Sequence, residues 1–166
     1  MFDYALLMVF PALLAFGAAY DLLTMTIPNR VSIALVLLFL LAAPIAGLSA
    51  HDMLLHVGAG LLVLAASIVL FALGGFGGGD AKLLAAASLW IGFDQLLPFL
   101  LNVTIFGGLL ALLILAYRRL PFIGPHAPTW ALNLYQRGTG IPYGIAIAAS
   151  ALMIFPSTDL VATALA

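Results

Sequence analysis

The chain contains no cysteine and no glutamate, and it has a single lysine. Without cysteine there is no disulfide, no thiolate zinc site and no thiol nucleophile, which removes a large part of the catalytic repertoire. Charge of any kind is scarce: 7% of the 166 residues are charged, with 5 Lys or Arg against 6 Asp and a net charge of −1. The cations are scattered between hydrophobic segments and form no basic patch, which excludes nucleic acid as a partner. Hydrophobic residues, at 66%, fill the space that charge leaves. A chain of this composition belongs in the lipid bilayer.

A membrane helix needs about 20 apolar residues, and the breaks between such stretches here are short. The pattern predicts an all-α polytopic membrane protein, one transmembrane domain over residues 1–166, with spans Tyr4–Leu23, Val31–Ile45, Met53–Leu73, Ala81–Gly92, Leu96–Tyr117 and Ile141 to roughly Ala162. The first stretch has no basic flank, carries Asp3 and leads into further spans, so it reads as a helix and not as a signal peptide. Turn chemistry sits where the spans stop: Ile27-Pro28-Asn29, Pro44 with Gly47, the run Gly74 to Gly79, and Pro121 with Gly124 and Pro125.

Six spans with both termini outside put Arg30, Lys82, Arg118, Arg119 and Arg137 on the cytoplasmic side, as the positive-inside rule requires. Asp3, Asp52, Asp94 and Asp159 fall on the other side. Two acids break this segregation. Asp21, near the end of the first span, and Asp80, at the start of the fourth, share the face that carries the cations.

The fourth stretch is short, and at about 1.5 Å per residue it cannot cross a hydrocarbon core of roughly 30 Å unless the bilayer thins or the glycine run enters the membrane. Irregular backbone is tolerated at that depth only where it lines protein or a wet cavity, which puts Asp80 in a water-filled recess. Its place at a helix N-terminus favours the ionised form. Taken singly, Asp80 fits an ordinary helix cap and Asp21 an interfacial residue. Together, two carboxylates of separate helices at one depth suit a dyad in which one carboxyl is protonated and the other ionised. No metal is expected, since no third carboxylate is at hand, His51 and His56 lie toward the other face, and His126 stands alone in a loop.

Lys82 follows Asp80 closely enough to act on the dyad, yet it serves equally as a cytoplasmic anchor. The segment Arg118 to Gly140 is the largest cytoplasmic piece, and its Trp130, Leu132, Leu134 and Tyr135 suit a short amphipathic connector with aromatic anchors. Pro142 and Tyr143 open the last span, as an N1 proline and a belt tyrosine or as part of a cleft.

The run Gly77-Gly78-Gly79-Asp80-Ala81-Lys82-Leu83-Leu84, with Asp21 and Thr26-Ile27-Pro28-Asn29 upstream, resembles the type IV prepilin leader peptidases. It looks most like their short form, which serves tight-adherence (Flp) pili, and the similarity extends to Pro142-Tyr143-Gly144. The resemblance implies an aspartic endopeptidase of the prokaryotic inner membrane with Asp21 and Asp80 as the catalytic pair. Its partner would be a single-span prepilin, from which it cuts a short basic leader at the cytoplasmic face, with no cofactor. The cysteine-bearing cytoplasmic insert of the long form is missing, so the N-methyltransferase activity of long members is not expected.

Two other readings stay open. Tyr20-Asp21 with Gly77-x-Gly79-Asp80 also resembles the presenilin and signal-peptide-peptidase type of intramembrane protease, although those proteins carry more helices. Outside the enzymes, paired carboxylates suit a small proton-coupled transporter or channel, but no ionisable residue at the membrane centre continues a path to the other face.

Overall fold

Each apolar stretch is helical in the computed structural model, which describes residues 2–121, 127–136 and 138–165. Gly124 and Pro125 of the expected turn, His126 and Arg137 lie outside the described residues, as does the side chain of Asp3. The helices are α1 (Phe2–Thr24), α2 (Asn29–Ile45), α3 (Ala50–Ala72), α4 (Gly78–Ile91), α5 (Leu96–Tyr117), α6 (Thr129–Tyr135), α7 (Tyr143–Ile154) and α8 (Asp159–Leu165). No strand occurs among the described residues.

Three of these, α1, α3 and α5, are long and apolar enough to cross a membrane, and α7 with α8 makes a fourth if the bent pair is one span. That pair was expected as a single helix. It breaks at the 3₁₀ turn Phe155–Ser157, where Pro156 cannot donate to the helical ladder, and the axis turns by 45°. Thr158 steadies the bend by donating its hydroxyl to the Phe155 carbonyl at 2.8 Å.

The short α4 has 14 residues, and Ala81 and every residue from Leu83 to Ile91 are buried. A helix apolar on all sides belongs inside protein. α4 packs on α2, α3 and α7, so its length of about 21 Å is enclosed by neighbours and does not have to match the bilayer. It also begins at Gly78, before the expected Ala81, which draws Asp80 into its first turn.

At the far end of α4, Trp90 stacks on Phe10 of α1 with ring centres 4.9 Å apart, and Phe155 lies 4.5 Å from Phe10. The Trp90 indole donates to the Leu35 carbonyl of α2 at 2.9 Å, so its one polar atom is satisfied. Truncating this fully buried ring would cost roughly 3–5 kcal/mol. His56 of α3 is buried beside it, its Nδ1 donating to the Leu89 carbonyl at 2.8 Å and its ring stacked on Phe39. It closes the C-terminus of α4, where a carbonyl would otherwise lack a partner.

Charge divides between the two ends of the bundle. Asp94 and Asp159 lie close enough for their carboxyl groups to interact, with Asp52 and His56 in electrostatic reach. At the other end, Lys82 meets Asn29 beside Arg30, and Arg118 reaches the segment that leads into α7.

Candidate active site

α1 stops just past Asp21. Met25 adopts a left-handed conformation with φ +55°, its amide donating to the Asp21 carbonyl at 2.7 Å. A non-glycine residue there costs of order 1–2 kcal/mol, and such strain gathers at functional sites. The Thr24 hydroxyl lies 2.8 Å from the Tyr20 carbonyl and 2.9 Å from the Thr26 hydroxyl, and Pro28 then leads into α2. Asp21 is left at 4% exposure, one of the few buried charged residues of the bundle. Its Oδ2 accepts a hydrogen bond of 2.9 Å from the Gly144 amide in the first turn of α7.

Position 144 has no room for a side chain. A Cβ there would lie 2.8 Å from Asp21 Oδ2, 3.1 Å from Asp21 Cβ and 3.2 Å from Ile27 Cδ1. Glycine is what lets α7 approach α1 closely enough for its amide to reach the carboxylate.

Asp80 is the third residue of α4, behind the N-cap Gly77. It is therefore not itself the cap, as one sequence reading had it. Its carboxylate folds back over Gly77, with Oδ2 only 2.5 Å from where a Cβ at that position would stand. Gly79 faces the Thr26–Asn29 turn, where a Cβ on it would lie 3.3 Å from Ile27 Cβ. Ile27 thus touches the glycine preceding Asp80 and the glycine that binds Asp21. One apolar side chain lies against both the turn of α4 that carries Asp80 and the turn of α7 that holds Asp21.

Both carboxylates line one pocket of ≈ 550 Å³, walled by the glycines 74 to 79, the Met25–Ile27 turn, Ile141 and Tyr143. Asp80 precedes the apolar part of α4, and its carboxyl is pushed well above the ordinary carboxylate range, first by burial and then by the negative charge of Asp21. The pair is close enough to interact as charges, the condition for sharing a proton.

Lys82 does not join them. Its ammonium donates to Asn29 Oδ1 at 2.9 Å, so it meets a residue of the pocket wall without lining the pocket itself. His56 is spent on α4, and among the described residues no group of three His, Cys, Asp or Glu side chains converges as a metal site. Tyr143 is in the pocket wall, its ring 6.2 Å from Phe76, and Pro142 is the N-cap of α7 and not its first residue.

Arg118 has more than an anchoring part. Its guanidinium donates to the Leu134 carbonyl at 2.7 Å and to the Thr139 and Gly140 carbonyls at 2.9 and 3.3 Å. These bonds tie α5 to α6 and to Gly140, which itself lines the pocket. Gly144, Ile27 and Arg118 are the positioning residues that patterns of single residues could not assign. The only signal for Gly144 was its place in Pro142-Tyr143-Gly144.

The family model described as the type IV leader peptidase family matches residues 8–112. That stretch contains Asp21 and Asp80 and stops before α6 and Gly144. No curated protein and no solved structure matches the chain.

Proposed function

Because the chain belongs to the type IV leader peptidase family, we propose that it is an aspartic endopeptidase that removes the short basic leader from a single-span, Flp-type prepilin. The observation that carries this reading is the shared pocket of Asp21 and Asp80, contributed by separate helices at the end of the bundle where the described cations gather.

The pair carries one proton. The ionised carboxylate takes a proton from water as the water oxygen bonds to the scissile carbonyl carbon, and the carboxylic acid gives its proton to the carbonyl oxygen. The resulting tetrahedral gem-diol collapses as the C–N bond breaks: the newly protonated carboxyl gives its proton to the departing amine nitrogen while the ionised one takes the proton of a gem-diol hydroxyl, leaving a carboxylic acid product. The pair is then back at one proton and the cycle closes. No covalent intermediate is needed, which suits a chain without cysteine.

The membrane arrangement is part of the proposal. Six spans with both termini outside place the described cations in the cytoplasm and Asp52, Asp94 and Asp159 outside, in line with the charge rule for inner-membrane proteins. A basic leader is held on the cytoplasmic side by the same rule, and the junction between leader and hydrophobic helix comes to the depth of the pocket. Methylation of the new N-terminus is not part of the activity. The largest connector, Arg118 to Gly140, is far below the roughly 50 residues of a small domain, and much of it is α6 and its tether to Arg118.

Mass spectrometry of a prepilin incubated with the purified protein in lipid, with and without S-adenosylmethionine, tests all of this. The expected product is the prepilin less its leader, of the same mass in both samples. A cut within the hydrophobic segment would point to an intramembrane protease instead, and a donor-dependent gain of one methyl would refute the single activity.

A further inference from the structure

A second opening of ≈ 610 Å³ lies on the outer surface of the bundle, between α2 and α3. Its walls are Ile33, Leu37 and Leu40 of α2 and Val57, Leu61 and Leu64 of α3, both sets at the i, i+4, i+7 spacing of a single helix face. Its floor is α4, where Ala85 and Ala86 leave room, and Gly60 lowers the α3 wall. Long apolar walls over a floor of small residues are what a membrane helix packs against.

One end of this groove is polar. Lys82 and Asn29 meet there, and beside them Ser32 is buried at 8% exposure with its hydroxyl lacking any hydrogen-bond partner. The buried hydroxyls of Ser88 and Ser150 instead donate to carbonyls four residues back, at 2.8 and 2.7 Å. An unpaired buried hydroxyl is unfavourable until something supplies a partner. Asn29 also lines the pocket that holds Asp21 and Asp80, so groove and pocket adjoin at that residue.

We infer that the groove between α2 and α3 seats the hydrophobic helix of the substrate, with the N-terminal end of that helix at Ser32 and Asn29. A helix N-terminus brings backbone amides with no intrahelical acceptor, and the Ser32 oxygen, which is shut from the surface as it stands, accepts one of them once its side chain turns into the groove. The residues just before the helix are then carried past Asn29 into the pocket, which places the leader junction between the carboxylates. A lipid acyl chain would fill the apolar walls equally well, but it has no donor to offer Ser32. The identity of the substrate rests on the leader-peptidase reading, whereas the place of docking rests on the groove.

The test uses the full chain carrying Asp80→Asn, with the photoreactive residue benzoylphenylalanine placed singly at Leu37, Leu61 or, as a control on α5, Leu109. Each is reconstituted in phosphatidylethanolamine–phosphatidylglycerol vesicles with a synthetic prepilin of one basic leader and one apolar helix. Adducts of prepilin mass are expected from positions 37 and 61 and not from 109. Phospholipid adducts alone at 37 and 61, or prepilin adducts of equal yield at 109, would overturn the inference. In the active chain, Leu61→Trp should raise KM for the prepilin on the order of tenfold, and Leu109→Trp should not. An unchanged KM in Leu61→Trp would also count against the groove. Should the active chain cleave no prepilin at all, the leader-peptidase reading fails, and the crosslinks still decide whether a spanning helix docks here.

Discussion

Asp21 and Gly144 are 123 residues apart in sequence, yet the Gly144 amide donates to Asp21 Oδ2 at 2.9 Å. The bond joins the last turn of α1 to the first turn of α7, so the carboxylate is oriented by a backbone donor that no residue but proline would remove. Otherwise only added bulk can disturb it.

Gly144→Ala supplies that bulk. With its Cβ 2.8 Å from Asp21 Oδ2, α7 must move away from α1. Overpacking of this kind costs roughly 1–3 kcal/mol, and a displacement of about 1 Å at a reacting group can cost on the order of 100-fold in rate. The variant should insert in membranes with a lowered melting temperature in detergent and lose about two orders of magnitude in kcat. Wild-type turnover would show that the Gly144 amide does not position Asp21.

Asp21→Asn and Asp80→Asn each preserve side-chain volume but can neither carry the negative charge nor give up an acidic proton. Either change disables both halves of the proton transfer, so cleavage should fall by about 100- to 10,000-fold, the range of general acid–base catalysis. Both proteins should elute as folded species after purification. Full processing by a well-expressed single variant would remove that residue from the pair.

The raised value of Asp80 has a readable sign. Burial and the charge of Asp21 hold the proton on Asp80 to a higher pH than an exposed aspartate would. Cleavage that needs one proton on the pair should therefore persist above the ordinary carboxylate range and decline as pH rises through the Asp80 value. Asp21→Asn removes the second cause, so the protonated-carboxyl band of Asp80 in infrared spectra should vanish at lower pH than in the parent chain. A band that titrates identically in both would mean that Asp21 does not act on Asp80.

The two-ended charge pattern predicts accessibility. In this cysteine-free chain, Thr129→Cys on α6 should be shielded from an impermeant thiol reagent applied outside intact cells, and Ala50→Cys at the start of α3 should be labelled. Ala50 is preferred to its neighbour because Ser49 caps α3, accepting the Asp52 amide at 3.2 Å. The reverse labelling would put the pocket on the wrong side of the membrane for a basic leader.

Hydropathy located the helices because each apolar stretch is helical, and the scarcity of acids singled out Asp21 and Asp80 because so few others compete with them. What stayed hidden depends on empty space or on distance along the chain. Gly78 and Gly79 suggest a loose loop, yet both are helical, and Gly79 is glycine because Ile27 lies where a side chain would go. Gly144 acts through an amide, which every residue but proline has, so no pattern of side chains marks it. The break at Pro156 lies in the polar run Pro156-Ser157-Thr158-Asp159, which the reading of one span from Ile141 to roughly Ala162 passed over. Arg118 counts as a topological charge in the sequence, and only the fold shows its guanidinium holding three carbonyls of the next segment.

The enclosure of α4 has a consequence for how the protein meets different membranes. A helix in contact with lipid tilts or shifts when bilayer thickness changes, because its apolar length must stay matched to the hydrocarbon. α4 is shielded by α2, α3 and α7, so such adjustments fall on the outer helices first. Asp80 is carried on the shielded helix, and its height is fixed against Ile27 and Gly77 and not against the lipid headgroups. Asp80 is thereby insulated from hydrophobic mismatch, and its height in the bundle should be the same in thin and thick bilayers even where the tilt of α3 or α5 is not.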